Sequence, residues 1–127
     1  MSDDTSFALE VEASRNLIRI QYRGHVTPAA MQACLATAEQ HLPQLRPGFT
    51  LLTDLSDLES MDLDCVSALT QLMDRLRASG ISTVVRSIPD PNKDIGLKIL
   101  SIIHYRRGVR IVTCDSRAEA ERALPTT

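Results

Sequence analysis

The chain has no tryptophan, and only two tyrosines and two phenylalanines among its 127 residues. So few aromatics argue against a surface that stacks nucleic-acid bases. Glycine is sparse too, at five, and no Gly-rich loop is available to cradle a phosphate. The three cysteines, Cys34, Cys65 and Cys114, are far apart and odd in number. That excludes a disulfide framework and any familiar zinc spacing. They read as reduced, buried small residues, which places the chain in the cytoplasm. No apolar run approaches membrane-spanning length. The start, Met1-Ser2-Asp3-Asp4, is acidic and has no apolar segment, so no secretory signal is expected. The net charge of −2 gives no global pull toward nucleic acid or an anionic membrane.

What is present fits one soluble domain. Apolar residues make up 43% of the chain and charged residues 24%, both ordinary for a globular protein with a real core. Residues 1–6 are expected to be disordered, residues 7–124 to form the domain, and residues 125–127 to trail as a tail. Charge is uneven along the chain. Residues 1–80 carry six basic and eleven acidic groups, whereas residues 81–127 carry eight and five. Arg106, Arg107 and Arg110 form the densest basic group, read as a solvated or partner-facing surface.

Two alternating segments, Phe7 to Ala13 and Asn16 to Tyr22, predict a hairpin with one wet face, turning through Ser14-Arg15-Asn16. Gly24 is expected to break the second strand. Thr27 followed by Pro28 predicts a helix start, a hydroxyl cap and then proline at the first helical position. Met31, Cys34, Leu35, Ala38 and Leu42 recur there at helical spacing. Pro43, Pro47 and Gly48 end that segment. A buried strand is predicted from Phe49 to Asp54, then a polar loop, then a helix from about Asp64 to Ser79. That helix has the apolar face Cys65, Leu69, Leu72, Met73 and Leu76, and stops at Gly80. A strand from Ile81 to Ile88, a third helix from Asp90 to about Tyr105, a strand from Val109 to Thr113 and a Ser116-capped final helix complete the order.

That order is β-β-α-β-α-β-α-β-α. It predicts an α/β fold with a mostly parallel central sheet, an N-terminal antiparallel hairpin and flanking helices.

The central stretch carries the most specific signal. It reads Asp54-Leu55-Ser56-Asp57-Leu58-Glu59-Ser60-Met61-Asp62-Leu63-Asp64-Cys65-Val66. Together with the element order, this resembles the STAS domain, the family of sulphate-transporter C-terminal domains and anti-sigma-factor antagonists. The family pattern is a strand ending Asp-Leu-Ser, then a few residues, then Asp-Ser-Ser-Gly opening the next helix. Asp54, Leu55, Ser56 and Asp62 match, while Leu63, Asp64 and Cys65 replace the two serines and the glycine. In the family a partner kinase phosphorylates the second serine, whose position Asp64 takes. The resemblance therefore implies a single STAS-like, non-enzymatic protein-interaction domain of bacterial-type signalling. Its partner face would comprise Asp54, Ser56, Ser60, Asp62, Leu63, Asp64 and Cys65. The implied partner is a protein such as a kinase-like anti-sigma factor or related regulator; a homodimer is the other association considered. Nucleic acid, a membrane span, a metal and a cofactor are not expected. Aspartate cannot accept a phosphoryl group from a serine kinase, so a kinase switch at Asp64 itself is not expected. Asp64 then reads as a fixed mimic of phosphoserine, as a site for a partner that wants a carboxylate, or, most simply, as a helix N-cap.

Other candidates are weaker. Asp62 and Asp64 could hold a cation with Asp54 or Asp57, but acids at a helix start are commonly there for the free amides and the dipole. Cys65 could gain reactivity from the same dipole, which the adjacent aspartates oppose. His25, His41 and His104 are scattered and read as surface or structural. The third helix has aliphatics on more than one face, and Leu97, Ile99, Arg106 and Arg107 mark a candidate interaction surface. The same excess motivates an alternative, a small apolar or lipid ligand held between that helix and the sheet. No set of nucleophile, base and stabiliser is legible, so an enzyme ranks last.

Overall fold

Alternation of apolar and polar residues at period two builds the hairpin, and its two strands lie antiparallel from Phe7↔Tyr22 to Glu12↔Leu17. The computed structural model describes residues 6–87 and 109–124. In it, β1 spans Phe7–Glu12 and β2 spans Leu17–Val26. The turn between them is one 3-10 turn, Ala13–Arg15, closed by Asn16 in the left-handed region at φ 52°. The Asn16 side chain pays for that conformation by bonding the Arg46 backbone twice, at 3.1 and 2.8 Å.

Gly24 does not break β2. It lies inside the strand at φ 59°, where the register with the next strand shifts between Gly24 and His25. A residue free to take positive φ there allows the strand to kink and keep pairing.

Helix α1, Pro28–His41, begins as predicted: the Thr27 hydroxyl accepts from the Ala30 amide at 3.2 Å. It buries Ala30, Met31, Cys34, Leu35 and Ala38. Strand β3 spans Thr50–Met61, well beyond the predicted end at Asp54. The polar stretch from Ser56 is thus mostly strand rather than loop. Leu58 and Met61 anchor it, 0% and 9% exposed, while Asp57, Glu59 and Ser60 face water. A 3-10 turn, Leu63–Cys65, leads into α2, Val66–Ala78. The helix buries Ala68, Leu69, Leu72, Met73 and Leu76, each large side chain contributing about 1.5–3 kcal/mol.

Helix α2 ends in a Schellman motif. The Ile81 amide donates to Leu76 O at 3.2 Å and the Gly80 amide to Arg77 O at 3.1 Å, with Gly80 at φ 97°. Strands β4, Thr83–Ser87, and β5, Arg110–Cys114, and helix α3, Arg117–Arg122, complete the described residues. The Ser116 hydroxyl caps α3 by accepting from the Glu119 amide at 3.1 Å. The predicted third helix, Asp90 to Tyr105, lies outside the described residues, as do Leu97, Ile99, Arg106 and Arg107.

The five strands form one sheet in the order β1-β2-β3-β4-β5, antiparallel at β1–β2 and parallel elsewhere. Alternation then sorts side chains into two cores. Ile18, Ile20, Tyr22, Leu51, Leu55 and Val84 pack with α1 and α2. Leu17, Leu52, Val85 and Cys114 pack with Ala120 and Leu124 at α3.

Candidate functional site

The candidate residues of β3 separate into two groups along the strand. Asp54 is 5% exposed and sits on the α3 side of the sheet. Its Oδ2 accepts from Arg117 Nε at 2.5 Å, and its Oδ1 accepts from the Ser56 amide at 2.9 Å. Asp57 Oδ2 takes a second Arg117 nitrogen at 2.9 Å and Gln21 Nε2 at 3.1 Å. Ser56 Oγ lies 3.0 Å from Ser87 Oγ. These residues join β2, β3, β4 and α3 into one hydrogen-bonded patch. Asp54 and Ser56 are therefore tied into structure.

A groove of about 410 Å³ opens beside that patch, lined by Glu10, Arg19, Gln21, Asp54, Arg117 and Glu121 among others. Its charges neutralise one another. Arg19 bonds Glu12 and the Glu121 carboxylate, the latter at 2.9 and 3.1 Å. The guanidinium beside Glu12 lowers that carboxyl below its usual range.

The second group lies at the end of β3. Parallel pairing sets His25 of β2 opposite Ser60. Ser60 Oγ lies 2.5 Å from His25 Nδ1, and His25 Nε2 lies 3.0 Å from Asp62 Oδ1. Ser60 and His25 are exposed, and the Asp62 side chain is 44% exposed. The Asp62 backbone is held by its amide bond to Val26 O at 3.0 Å.

Beyond Asp62 the chain turns through Leu63, Asp64 and Cys65. Leu63 is 80% exposed and Val66 48%, and they are the exposed large apolar side chains among the described residues. Asp64 stands between them, exposed, inside the 3-10 turn. It does not cap α2: the N-cap position of the turn is Asp62 and that of α2 is Cys65, and neither makes a side-chain cap bond. The reason is geometric. Asp64 lies inside the 3-10 turn, two residues past Asp62, the N-cap position of the turn, and one residue before Cys65, the N-cap position of α2.

Cys65 is buried, with its Sγ 3.5 Å from Val26 O. Burial, followed by the nearby Asp62 charge, pushes its thiol up, so the helix start does not activate it. Among the described residues no cluster of three or more His, Cys, Asp or Glu is arranged to hold a metal. No helix there is long and apolar enough to cross a membrane.

Leu63 and Asp64, both singled out in the sequence, lie together and exposed in the 3-10 turn, while the contacts of His25 with Ser60, of Asp57 with Gln21 and Arg117, and of Arg117 with Asp54 were not anticipated. Arg117 is 63 residues from Asp54, and its role follows from α3 packing across the sheet. His25 meets Ser60 through strand register. No local motif signals either contact.

No family model matches the sequence, and no curated protein matches it. Solved structures do. An uncharacterised DUF3478-family protein from Shewanella loihica, described as having a SpoIIAA-like fold, superposes with a TM-score of 0.73 at 13% identity, covering 94% of each chain. The Bacillus cell-fate determinant SpoIIAA in its phosphorylated form gives 0.64 at 19% identity, covering 94% of this chain and 99% of that one. A putative anti-sigma factor antagonist from Thermotoga maritima gives 0.59 at 15% identity, covering 96% and 97%. At such identities the likeness is one of fold. The chain has the SpoIIAA-like, or STAS, fold: an α/β domain with a mostly parallel five-stranded sheet and an antiparallel N-terminal hairpin.

Proposed function

We propose that this chain is a STAS-like protein-interaction module of a bacterial-type signalling system and acts without catalysis. Its partner face is the end of β3, the 3-10 turn and the first turn of α2. One observation carries this reading: Leu63 and Val66 put apolar surface into water on either side of an exposed carboxylate, Asp64. Exposed apolar side chains grouped at one turn mark a contact surface better than scattered ones do. The fold it shares with anti-sigma factor antagonists supports a protein partner, such as a kinase-like anti-sigma factor or related regulator. At the position where the STAS resemblance places phosphoserine, Asp64 supplies a single fixed charge. It acts there as a weak permanent mimic of the phosphorylated state.

Affinity capture from the native cell with the wild type, Leu63→Asp, Asp64→Ser and Asp64→Ala tests this. The expected result is a regulator captured by the wild type, lost with Leu63→Asp and held more tightly by Asp64→Ser. Equal capture by all four proteins would falsify the assignment of this face.

A further inference from the structure

We infer that His25 is a proton-operated switch of this face, setting both its charge and the direction of the Ser60 hydroxyl. His25 stands between two partners: Ser60 Oγ lies 2.5 Å from Nδ1, and Asp62 Oδ1 lies 3.0 Å from Nε2. An ionised carboxylate only accepts, so Nε2 carries a hydrogen in either charge state of the ring. In the neutral ring Nδ1 is then bare and accepts the Ser60 hydroxyl hydrogen. Once the ring takes up a proton, both nitrogens donate. Ser60 then accepts through Oγ, and its own hydrogen turns outward.

Strand pairing builds this arrangement. His25 of β2 lies opposite Ser60 of β3, and the Asp62 amide is tied to Val26 O at 3.0 Å. Water reaches the ring, since the His25 and Asp62 side chains are 50% and 44% exposed. Among the described residues the charged groups around His25 are mostly acids. Asp62 contacts it from beyond β3, with Asp64 following in the 3-10 turn. The Glu59 carboxylate of β3 comes within 4.0 Å of the Cβ position of neighbouring Gly24. Arg23, on the same strand as His25, lies opposite Asp57. Strand β1 pairs with β2 only as far as Tyr22, and α1 starts with the uncharged Thr27 and Pro28.

Protonation therefore changes two properties together. The imidazolium offsets the Asp62 carboxylate, and the Ser60 hydroxyl becomes an outward donor. Histidine suits such a role because imidazoles change charge between about pH 5 and 8. Ser60 is close to Leu63 in the chain, so a protein seated on Leu63 and Val66 meets both changes. This consequence rests on the reading of that surface as the partner face. There the fixed charge of Asp64 weakens the contact, and a cation beside Asp62 acts in the opposite sense. The partner is thus held more tightly toward pH 6, and by linkage the bound partner favours the protonated ring.

Two measurements on the full chain test the switch. The first is nitrogen NMR of the ring-labelled protein, with His25→Gln identifying the His25 signals. The expected spectrum shows a bare Nδ1 and a protonated Nε2 near about pH 8, and both nitrogens protonated near about pH 5. Asp62→Ala is expected to lose the preference for hydrogen on Nε2. A neutral ring with its hydrogen on Nδ1, or a ring in one charge state throughout, overturns the switch. The second takes as its probe the protein that the wild type captures from the native cell. Capture is expected to be about two- to five-fold tighter at pH 6 than at pH 8, a modest gain because the ion pair is half-exposed. His25→Gln is expected to abolish the difference, and the same pH response in that variant overturns the link to binding. These are surface positions, and far-UV circular dichroism checks that each variant is folded. The NMR experiment needs no partner, so its failure is distinguishable from failure of the docking surface, which Leu63→Asp reports.

Discussion

Arg117 Nε donates to Asp54 Oδ2 at 2.5 Å and so joins the first residue of α3 to the middle of β3. Asp54 is almost wholly buried while the Arg117 side chain is 51% exposed. The pair thus has one desolvated partner and one wet one. The carboxylate holds the arginine in its charged form, raising its pKa above the ordinary value.

Arg117→Ala leaves that buried carboxylate short of a cation. The expected loss is about 1–2 kcal/mol, less than for a fully buried pair because water reaches the site. Arg117→Lys recovers part of it, since a single ammonium cannot reach both Asp54 and Asp57 as the guanidinium does. Urea unfolding of the three proteins measures the differences. An unchanged midpoint in Arg117→Ala would show the contact to be neutral.

Gly80 and Gly48 separate two costs of a side chain. Both have positive φ, at 97° and 92°. A Cβ on Gly80 meets Pro47 Cα at 2.9 Å, whereas one on Gly48 meets nothing within 4 Å. Gly48→Ala is expected to cost roughly 1–2 kcal/mol for the left-handed backbone alone. Gly80→Ala adds a backbone clash of about 1–3 kcal/mol. Thermal melts rank the two, and equal costs would mean that the Pro47 segment moves aside freely.

Two helix starts provide a matched comparison. Thr27 accepts a bond from Ala30 N, whereas Asp64 occupies neither N-cap position ahead of α2. Thr27→Ala is expected to cost about 1 kcal/mol, and Asp64→Ala to stay within about 0.5 kcal/mol. A larger loss for Asp64→Ala in chemical denaturation would return it to a capping role.

Burial pushes the Cys34 thiol up to about 12 from its ordinary 9.0. Between those values the folded state keeps a proton that the unfolded state releases. The contribution is therefore intact below pH 9 and is lost as pH rises toward 12, at no more than about 1.4 kcal/mol per unit. The stability difference between wild type and Cys34→Ala should shrink across that window. A pH-independent difference contradicts the assignment.

Local chemistry was legible in the sequence. Thr27-Pro28 marks the start of α1, Gly80 the end of α2 and Ser116 the start of α3, because caps and positive φ are requirements of one or two residues. The stripe from Leu69 to Leu76 shows the buried face of α2, because helical spacing alone decides which residues align. The Asp-Leu-Ser frame pointed to the STAS fold for the same reason: the pattern is contiguous.

Tertiary structure decided the rest. The stretch Ser56 to Ser60 reads as a polar loop, yet it is strand, since β2 beside it satisfies its backbone and Leu58 and Met61 hold it to the core. Gly24 reads as a stop, yet pairing continues past it through a register shift. Asp64 reads as a cap, and the intervening 3-10 turn moves it off the cap position. His25 reaches Ser60, and Arg117 reaches Asp54, only once strands are in register and α3 crosses the sheet. Composition and spacing act over a few residues; register and packing act between segments far apart in the chain, and those set which side chains meet.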